Sequence, residues 1–509
     1  MMLSLLLLIP FLGSLVLVLW PGQPAEGLMR KVALVVLCLQ VAWSVVVLLS
    51  VDPQQGGLQL QETLPWIQDL GLTYSLAIDG LSLPLVVING ALSLVAVICT
   101  RDISQRPRMY FALLLLISGA VNGAFLAQNL LLFLLFYELE LIPLWLLISV
   151  WGGAGKALAA TKFLLFTAVS GFLILATFLA LAVLRGSLDF SFLPVSSEQL
   201  GLGSQLVLLA MLLVGFGIKI PLVPFHSWLP DAHTQASTPV SVLLAGVLLK
   251  LGTYGMLRFG LGLFPEAWAV MAPWLAIWAA VSVLYGSLAA IAQRDMKRMV
   301  AYSSVGHMGS ILLAAAAATP VSLMGAEFQM VSHGLISALL FLLVGIVYRK
   351  TGTRDLEVLR GLLNPERGLP FTGTLMILGV MASAGMPGMC GFISEFLVFR
   401  GAISAFPTAT LLCMVGSGLT AVYFLLLVNR VFFGRLAITP VEDRTLHSRL
   451  DIRLAPVAPR ETIPATALAL AVVGLGLLPS LLGRLSESTT TAMAKVPAML
   501  QALAGQGVG

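Results

Sequence analysis

The reading of this chain turns on LVLLAMLLVGFGIKIPLVPFHSWLPDAH, residues 206–233. An apolar run leads into Lys219, and Pro221, Pro224 and Pro230 follow it. A run of this kind predicts a helix crossing a bilayer, whose hydrocarbon core takes ~20 mainly apolar residues. The prolines cannot sustain its hydrogen-bond ladder. A broken helix at membrane depth is tolerated only inside protein or beside a water-filled cavity. Lys219 therefore marks an interior position and needs water or a carboxylate for company.

The rest of the sequence agrees with a membrane protein. Of 509 residues, 59% are hydrophobic and only 10% are charged, with a mean hydropathy of +1.00. Soluble domains carry roughly 25% charged residues, so this chain cannot clothe itself in a hydrated surface. A net charge of +5 over this length is no nucleic-acid footprint. Cys38, Cys99, Cys390 and Cys413 lie far apart in apolar runs and form neither metal spacing nor a disulfide framework. Dinucleotide, Walker A, CxxC and haem motifs are all missing, so no redox centre, metal or cofactor is expected in this chain.

Fourteen apolar stretches are long enough to span. The first, 2–20, has no basic flank and no cleavage pattern behind it, so a retained helix is expected rather than a signal peptide. Basic residues then set the orientation. Arg30, Lys31, Arg101, Arg106, Arg108, Lys156, Lys162, Arg294, Lys297, Arg298, Arg349, Lys350 and Arg354 all fall in loops on one side if fourteen spans are right. The 52–77 loop opposite has Asp52, Glu62 and Asp69 with no Lys or Arg. The positive-inside rule puts both termini on the outer or lumenal side. The longest polar connection, 434–462, is expected along the membrane or a partner.

Ionisable groups inside apolar runs carry the chemistry, because a charge at membrane centre costs about 2.5–3.5 kcal/mol on insertion scales. Glu138 and Glu140 sit two apart in YELELIP and point roughly 200° away from each other, so one at most faces a given axis. The bland alternative for either is a hydrogen bond between helices. Lys250 lies too deep between Pro239 and Arg258 to reach a surface easily. His307 and His333 fall on consecutive spans; each alone reads as a satisfied core residue, but the pair suits proton relay, since neutral imidazole both donates and accepts. Glu395 follows a second interruption, at Gly385, Pro387, Gly388 and Gly391. The breaks near 221 and 387 come five spans apart. An odd offset reverses topology and predicts inverted five-helix repeats, which is where transporters place their ion path. The expected organisation is all-α: helices 1–3 in 1–107, a first repeat in 108–258, a second in 259–433, and a polar loop with a last helix in 434–509.

These residues resemble a known family. AIDGLSLPL (78–86), ELELIP (138–143), AATKF (159–163), KIPLVPFHSWLPDAHTQASTPVSVLLAGVLLK (219–250), DMKRMVAYSSVGHMG (295–309), SHG (332–334) and GMPGMCGFISEF (385–396) are similar to the antiporter-like proton-channel subunits of respiratory complex I. Over about 70–435 the chain looks most like the subunit M, or chain 4, type of cyanobacterial and chloroplast NAD(P)H dehydrogenase, and LLLVNRVFFGRL (425–436) leans toward carbon-dioxide-uptake variants. The resemblance implies a proton path through Glu138, paired with Lys219, then Lys250, His307 and His333 to Glu395. It implies that quinone, Fe–S clusters and NAD(P)H or ferredoxin belong to partner subunits, both membrane and hydrophilic, in a cyanobacterial thylakoid membrane. Two other classes compete: an Mrp-type sodium/proton antiporter subunit, and a membrane scaffold whose charges only hold helices together.

Overall fold

Apolar runs of this length have one way to satisfy their backbone in lipid, which is to close every hydrogen bond within a helix. Thirteen helices among the described residues are long and apolar enough to cross a membrane, and the chain is an integral, multi-pass membrane protein. The computed structural model describes residues 1–22, 25–101, 103–438 and 453–506, the last with side chains through 494.

Helices α1 (Met2–Leu19) and α2 (Glu26–Ser50) lead into an antiparallel hairpin, β1 (Gln59–Ile67) and β2 (Leu72–Ile78), which pairs Thr63 with Ser75. Then come α3 (Ser82–Cys99), α4 (Pro107–Leu126), α5 (Leu130–Leu139), α6 (Leu141–Trp151), α7 (Lys156–Arg185), α8 (Leu202–Lys219) and α9 (Trp228–Gln235). The next span, α10 (Thr238–Leu261), is followed by α11 (Pro265–Ile291), α12 (Met296–Ala317) and α13 (Pro320–Thr351). The remainder comprises α14 (Pro370–Ser383), α15 (Cys390–Ala402), α16 (Pro407–Val431), α17 (Pro459–Leu477) and α18 (Ser480–Gln506).

The punctuation is chemical. Proline opens α4, α11, α13, α14, α16 and α17, where its missing N–H is no loss. Asn129 caps α5 by accepting from the Leu131 and Leu132 amides, each at 3.1 Å. Asp295 does the same for α12 at Lys297, 2.7 Å, and Arg298, 3.2 Å.

Position in the bundle follows polarity. The apolar windows of α10 and α13 lie wholly inside the protein, whereas α7 leaves Leu158, Leu165, Phe172 and Val183 bare on an outward face. The two central helices carry Lys250 and His333. Cations at or near the ends of separate helices gather at one end of the bundle: Arg349 and Arg101 meet Glu461 at 2.7 and 3.5 Å, and Lys162 and Arg298 meet Asp231 at 2.8 and 3.6 Å. The β1–β2 hairpin sits at the N-terminal end of α1, where the Glu62 carboxylate accepts from the Leu3 and Ser4 amides at 2.8 and 3.1 Å.

Two boundaries differ from the sequence expectation. The stretch 370–399 is two short helices, α14 and α15, separated by 384–389. The final apolar stretch ends at Leu477, because Pro479 cannot extend it, and α18 starts afresh at Ser480. Within the expected 434–462 connection, 439–452 lies outside the described residues.

Candidate functional site

Building begins at the first break. Pro143 has no N–H for the Leu139 carbonyl, and the helix is interrupted at Glu140 between α5 and α6. The interruption aims Glu140 inward, where its Oε1 accepts from the Lys219 ammonium in a buried ion pair. Lys219 is 3% exposed and Glu140 is fully enclosed. The ammonium also lies 4.8 Å from the centre of the Tyr137 ring, over its face. Lys219 is the last residue of α8, where the negative end of the helix dipole favours a cation.

The expected pairing of Lys219 with Glu138 is therefore corrected: the bonded carboxylate is Glu140. Glu138, two residues away, packs against α7, where a Cβ on Gly171 would collide with Glu138 Oε1, and it stays within electrostatic reach of Lys219 without bonding it. Only a glycine lets that carboxylate lie there.

Beyond Lys219 the span opens into a turn at 220–224 before a single 3₁₀ turn, Phe225–Ser227, and α9. Indole groups close the gap: Trp228 Nε1 donates to the Ile218 carbonyl at 2.8 Å, and Trp278 Nε1 to the Val223 carbonyl at 2.5 Å.

Helix α10 contains π turns at Leu244–Leu248 and Met256–Leu261. Such wide turns displace carbonyls from the ordinary ladder. Lys250 uses one of them, donating to Ala245 O at 2.6 Å, and its Nζ lies 2.7 Å from His333 Nδ1 on α13. The other ring nitrogen of His333, Nε2, has no hydrogen-bond partner among the described residues. Lys219 and Lys250 share no direct bond in the described residues; α8 and α10 cross closely at Gly252, where a Cβ would stand 3.2 Å from Lys219 Cβ.

The rings of His333 and His307 are 5.4 Å apart. His307 contacts Ser383 Oγ through Nε2 at 3.0 Å and Gln329 Nε2 through Nδ1 at 3.2 Å, and Nδ1 is 3.7 Å from Glu395 Oε1. Ser417 donates to Glu395 Oε2 at 2.6 Å. Gly385, at φ +72°, lets the second break press against this carboxylate: a Cβ there would be 2.7 Å from Oε2. His307, Gln329, His333, Ser383 and Glu395 line a cavity with about 10 Å³ of room for the centre of a water molecule, at the threshold for holding one.

The structure thus brings Lys250, His333, His307 and Glu395 into one contacting row, and joins Lys219 to Glu140 beside it. Several polar groups of the same interior are not singled out by the sequence reading. Arg258 reads in the sequence as the basic flank of a span, yet it is buried and bonds Asp79 at 2.5 Å. His233 is enclosed against Phe341, ring centres 4.4 Å apart, with neither nitrogen hydrogen-bonded to a described residue. Glu327 is fully buried on α13. The same rule that flagged Glu395, an acid within an apolar run, applies to Glu327 in GAEFQMVSHG.

With this geometry in hand, likeness to known proteins is specific. The family described as NADH:quinone oxidoreductase/Mrp antiporter, TM, matches residues 127–420. The NAD(P)H-quinone oxidoreductase chain 4 1 of Synechococcus sp. (strain JA-2-3B'a(2-13)) is 42% identical over 450 residues, 87% of this chain and 83% of that one. Among solved structures, a chain of respiratory complex I from Thermus thermophilus superposes with TM-score 0.86 at 28% identity, covering 98% of this chain and 100% of that one. A chain of the Mrp complex from Dietzia sp. DQ12-45-1b superposes with TM-score 0.85, covering 98% of each, but at 22% identity it speaks for the fold alone. The chain belongs to the NADH:quinone oxidoreductase/Mrp antiporter membrane-subunit family, among the NAD(P)H-quinone oxidoreductase chain 4 proteins.

Proposed function

We propose that this chain is the proton-translocating membrane subunit of an NAD(P)H- or ferredoxin–quinone oxidoreductase, moving protons with energy released by electron transfer in other subunits. The observation that carries the proposal is the row of buried ionisable side chains lying between two broken spans: Glu140 with Lys219, then Lys250, His333, His307 and Glu395. Lipid gives such groups nothing, and a fold that encloses them needs them for ion movement or for contacts between helices.

The proton steps follow from the contacts. A proton entering beside the first break reaches the Glu140–Lys219 pair. Separation of that pair leaves each charge buried without its partner, a state that is costly unless a proton or water moves with it. Transfer onward passes to Lys250, whose Nζ already touches His333, and from His333 to His307 and Glu395. Bridging water is needed between Lys219 and Lys250, where no direct bond exists. Coupling is reciprocal: whatever in the neighbouring subunits pulls one pair apart is itself influenced by the protonation of the next.

Family membership and the chain 4 relative support the oxidoreductase reading over a sodium/proton antiporter. We place the complex in a cyanobacterial thylakoid membrane, with plastoquinone as acceptor, the cation-rich end of the bundle inside and both termini lumenal; the 425–436 segment suggests a carbon-dioxide-uptake complex. Quinone, Fe–S clusters and the electron donor belong to partner subunits. The decisive measurement is proton uptake by vesicles carrying the assembled complex, recorded with quinone reduction. Lys219→Ala is expected to abolish redox-linked uptake in a complex that still assembles. Normal pumping by that variant, or uptake driven by a sodium gradient with no reductant, overturns the assignment.

A further inference from the structure

The row described above ends at Glu395, but a second set of buried ionisable groups runs from its middle toward the end of the bundle bearing the β1–β2 hairpin. On α10, Lys250, Tyr254 and Arg258 recur at four-residue intervals, the spacing of one helix face. Arg258 donates to Tyr254 Oη at 3.3 Å and to Asp79 Oδ2 at 2.5 Å. Asp79 is held in turn by the Leu81 and Ser82 amides at 3.2 and 3.0 Å. On α13, Glu327 stands six residues before His333, about 9 Å along the axis, and lies in the electrostatic reach of Asp79 and Arg258. Neither of its carboxylate oxygens hydrogen-bonds a described residue. The Ser486 hydroxyl, which donates to the Leu482 carbonyl at 3.0 Å, lies within hydrogen-bonding reach of the same carboxylate.

This cluster meets open space. A cavity of about 220 Å³ is lined by Asp79, Arg258, Phe192, Leu58, Thr489 and Ala492, and Leu58 and Ala492 are exposed. Helix α18 forms one wall, fastened to the Asp79 turn by the Gly80 amide donating to Thr489 Oγ1 at 3.0 Å. Here, then, is a buried acid in no direct ion pair among the described residues, beside an arginine whose own carboxylate faces a cavity at the protein surface.

We propose that Glu327, with the Asp79–Arg258 pair and this cavity, is a second proton-exchange site of the subunit, opening at the hairpin end of the bundle and fed from the Lys250–His333 contact. The proposal rests on the proton-pathway reading above. Glu327 takes up a proton delivered through His333 and releases it through the cavity; nothing but the proton changes hands. Arg258 supplies a counter-charge whenever the Glu327 carboxylate is ionised, and its positive charge on the cavity floor repels other cations. Met330 and Thr253, joined by a 3.0 Å contact from Thr253 Oγ1 to Met330 Sδ, lie on the stretch of α13 and α10 between the two sites. Their side chains must shift to admit water.

The test compares Glu327→Gln, Glu327→Asp and Lys219→Ala in the assembled complex in vesicles, reading proton transfer against quinone reduction. Glu327→Gln is expected to slow redox-linked proton transfer about tenfold or more, with substantial recovery in Glu327→Asp. A second measurement does not depend on that variant folding. An Ala492→Cys complex is treated with a membrane-impermeant, positively charged thiol reagent from the hairpin side, with the unsubstituted complex as control. Labelling is expected to block transfer only in the Ala492→Cys complex. Full transfer in assembled Glu327→Gln, or in the labelled Ala492→Cys complex, overturns the site. If Lys219→Ala is inactive in the same assay, only this inference falls; if Lys219→Ala also pumps normally, the pathway reading falls with it.

Discussion

Glu140→Gln keeps the size and planarity of the side chain at the α5–α6 junction and removes its charge. Lys219 is 3% exposed and Glu140 fully enclosed, so neither solvent nor lipid headgroups replace the lost partner. Two unit charges ~3 Å apart at an effective dielectric of ~20 attract by about 5 kcal/mol. Removing one member of a buried pair costs about 3–5 kcal/mol, chiefly because the other is left uncompensated. At 1.36 kcal/mol per factor of ten, the state with Lys219 docked and charged loses about two to three and a half orders of magnitude in population. Pumping by the Glu140→Gln complex is therefore expected to fall at least about a hundredfold. It is read as dye quenching in vesicles and normalised to quinone reduction and to assembly on native gels. Glu138→Gln, which removes a carboxylate packed against Gly171 and not bonded to Lys219, is expected to cost less. Adding Lys219→Met to Glu140→Gln should return melting temperature toward the parent without restoring pumping, because an uncharged pair is tolerated where a lone buried charge is not. Parent-level pumping in Glu140→Gln alongside a dead Glu138→Gln complex would refute the reasoning.

Other expectations follow from single contacts. Gly385→Ala places a Cβ 2.7 Å from Glu395 Oε2 at φ +72°; the left-handed backbone alone costs about 1–2 kcal/mol, so melting temperature and pumping should both drop, and unchanged melting would count against the close approach. Asp295→Ala removes the cap of α12 and an ion pair with Arg354 at 3.0 Å, a loss of about 1 kcal/mol in the cap that Asp295→Asn should largely restore. Glu62 offers a pH test outside the membrane. Burial works to raise its pKa, but the Ser4 hydroxyl, the Met1 ammonium at 2.9 Å and the Leu3 and Ser4 amides together outweigh it and hold the carboxyl below its ordinary 4.5. A carboxyl depressed on folding contributes stability that is complete above its unfolded value and is lost as pH falls through the lower folded one. Amide exchange in the first turn of α1 should accelerate below pH ~4.5, and the Glu62→Gln protein should show no such step.

What the sequence made legible was whatever depends on one helix at a time. An ionisable residue far from both ends of an apolar run needs no tertiary information to be singled out, and Lys219, Lys250, His307, His333 and Glu395 all emerge that way. Proline after Lys219, and glycine with proline before Glu395, likewise announce interruptions locally. The choice between Glu138 and Glu140 depends on something else. Helical phase says that they diverge, but which one meets Lys219 is set by where α7 and α8 lie around α5, and by the turn that Pro143 imposes at Glu140. Arg258 illustrates a second limit. Eight residues past Lys250 it looks like the basic end of a span, yet the partner that keeps it inside, Asp79, is 179 positions away. Pairings over such separations are invisible to spacing.

Along the row from Glu140 to Glu395, backbone interruptions and charges coincide, and the coincidence has a physical basis. Lys219 ends α8, Glu140 sits at the α5–α6 junction, Lys250 follows a π turn and takes the Ala245 carbonyl, and Glu395 lies beside the Gly385 turn. A continuous helix in an apolar medium spends every interior carbonyl on its own ladder and has no dipole to offer a charge. Each interruption releases carbonyls and exposes a helix end, and both stabilise a charged side chain where water is scarce. His307 and His333 stand on unbroken helices instead, and they are the members of the row that remain soluble in an apolar interior when neutral. The division is consistent: groups that must carry charge occupy the breaks, and groups that pass a proton between them occupy the regular helices. On this argument, repairing a break is as damaging as removing its charge. Replacing Pro143 by Leu, which returns an N–H to the Leu139 carbonyl, should turn Glu140 away from Lys219 and impair pumping while every ionisable residue stays in place.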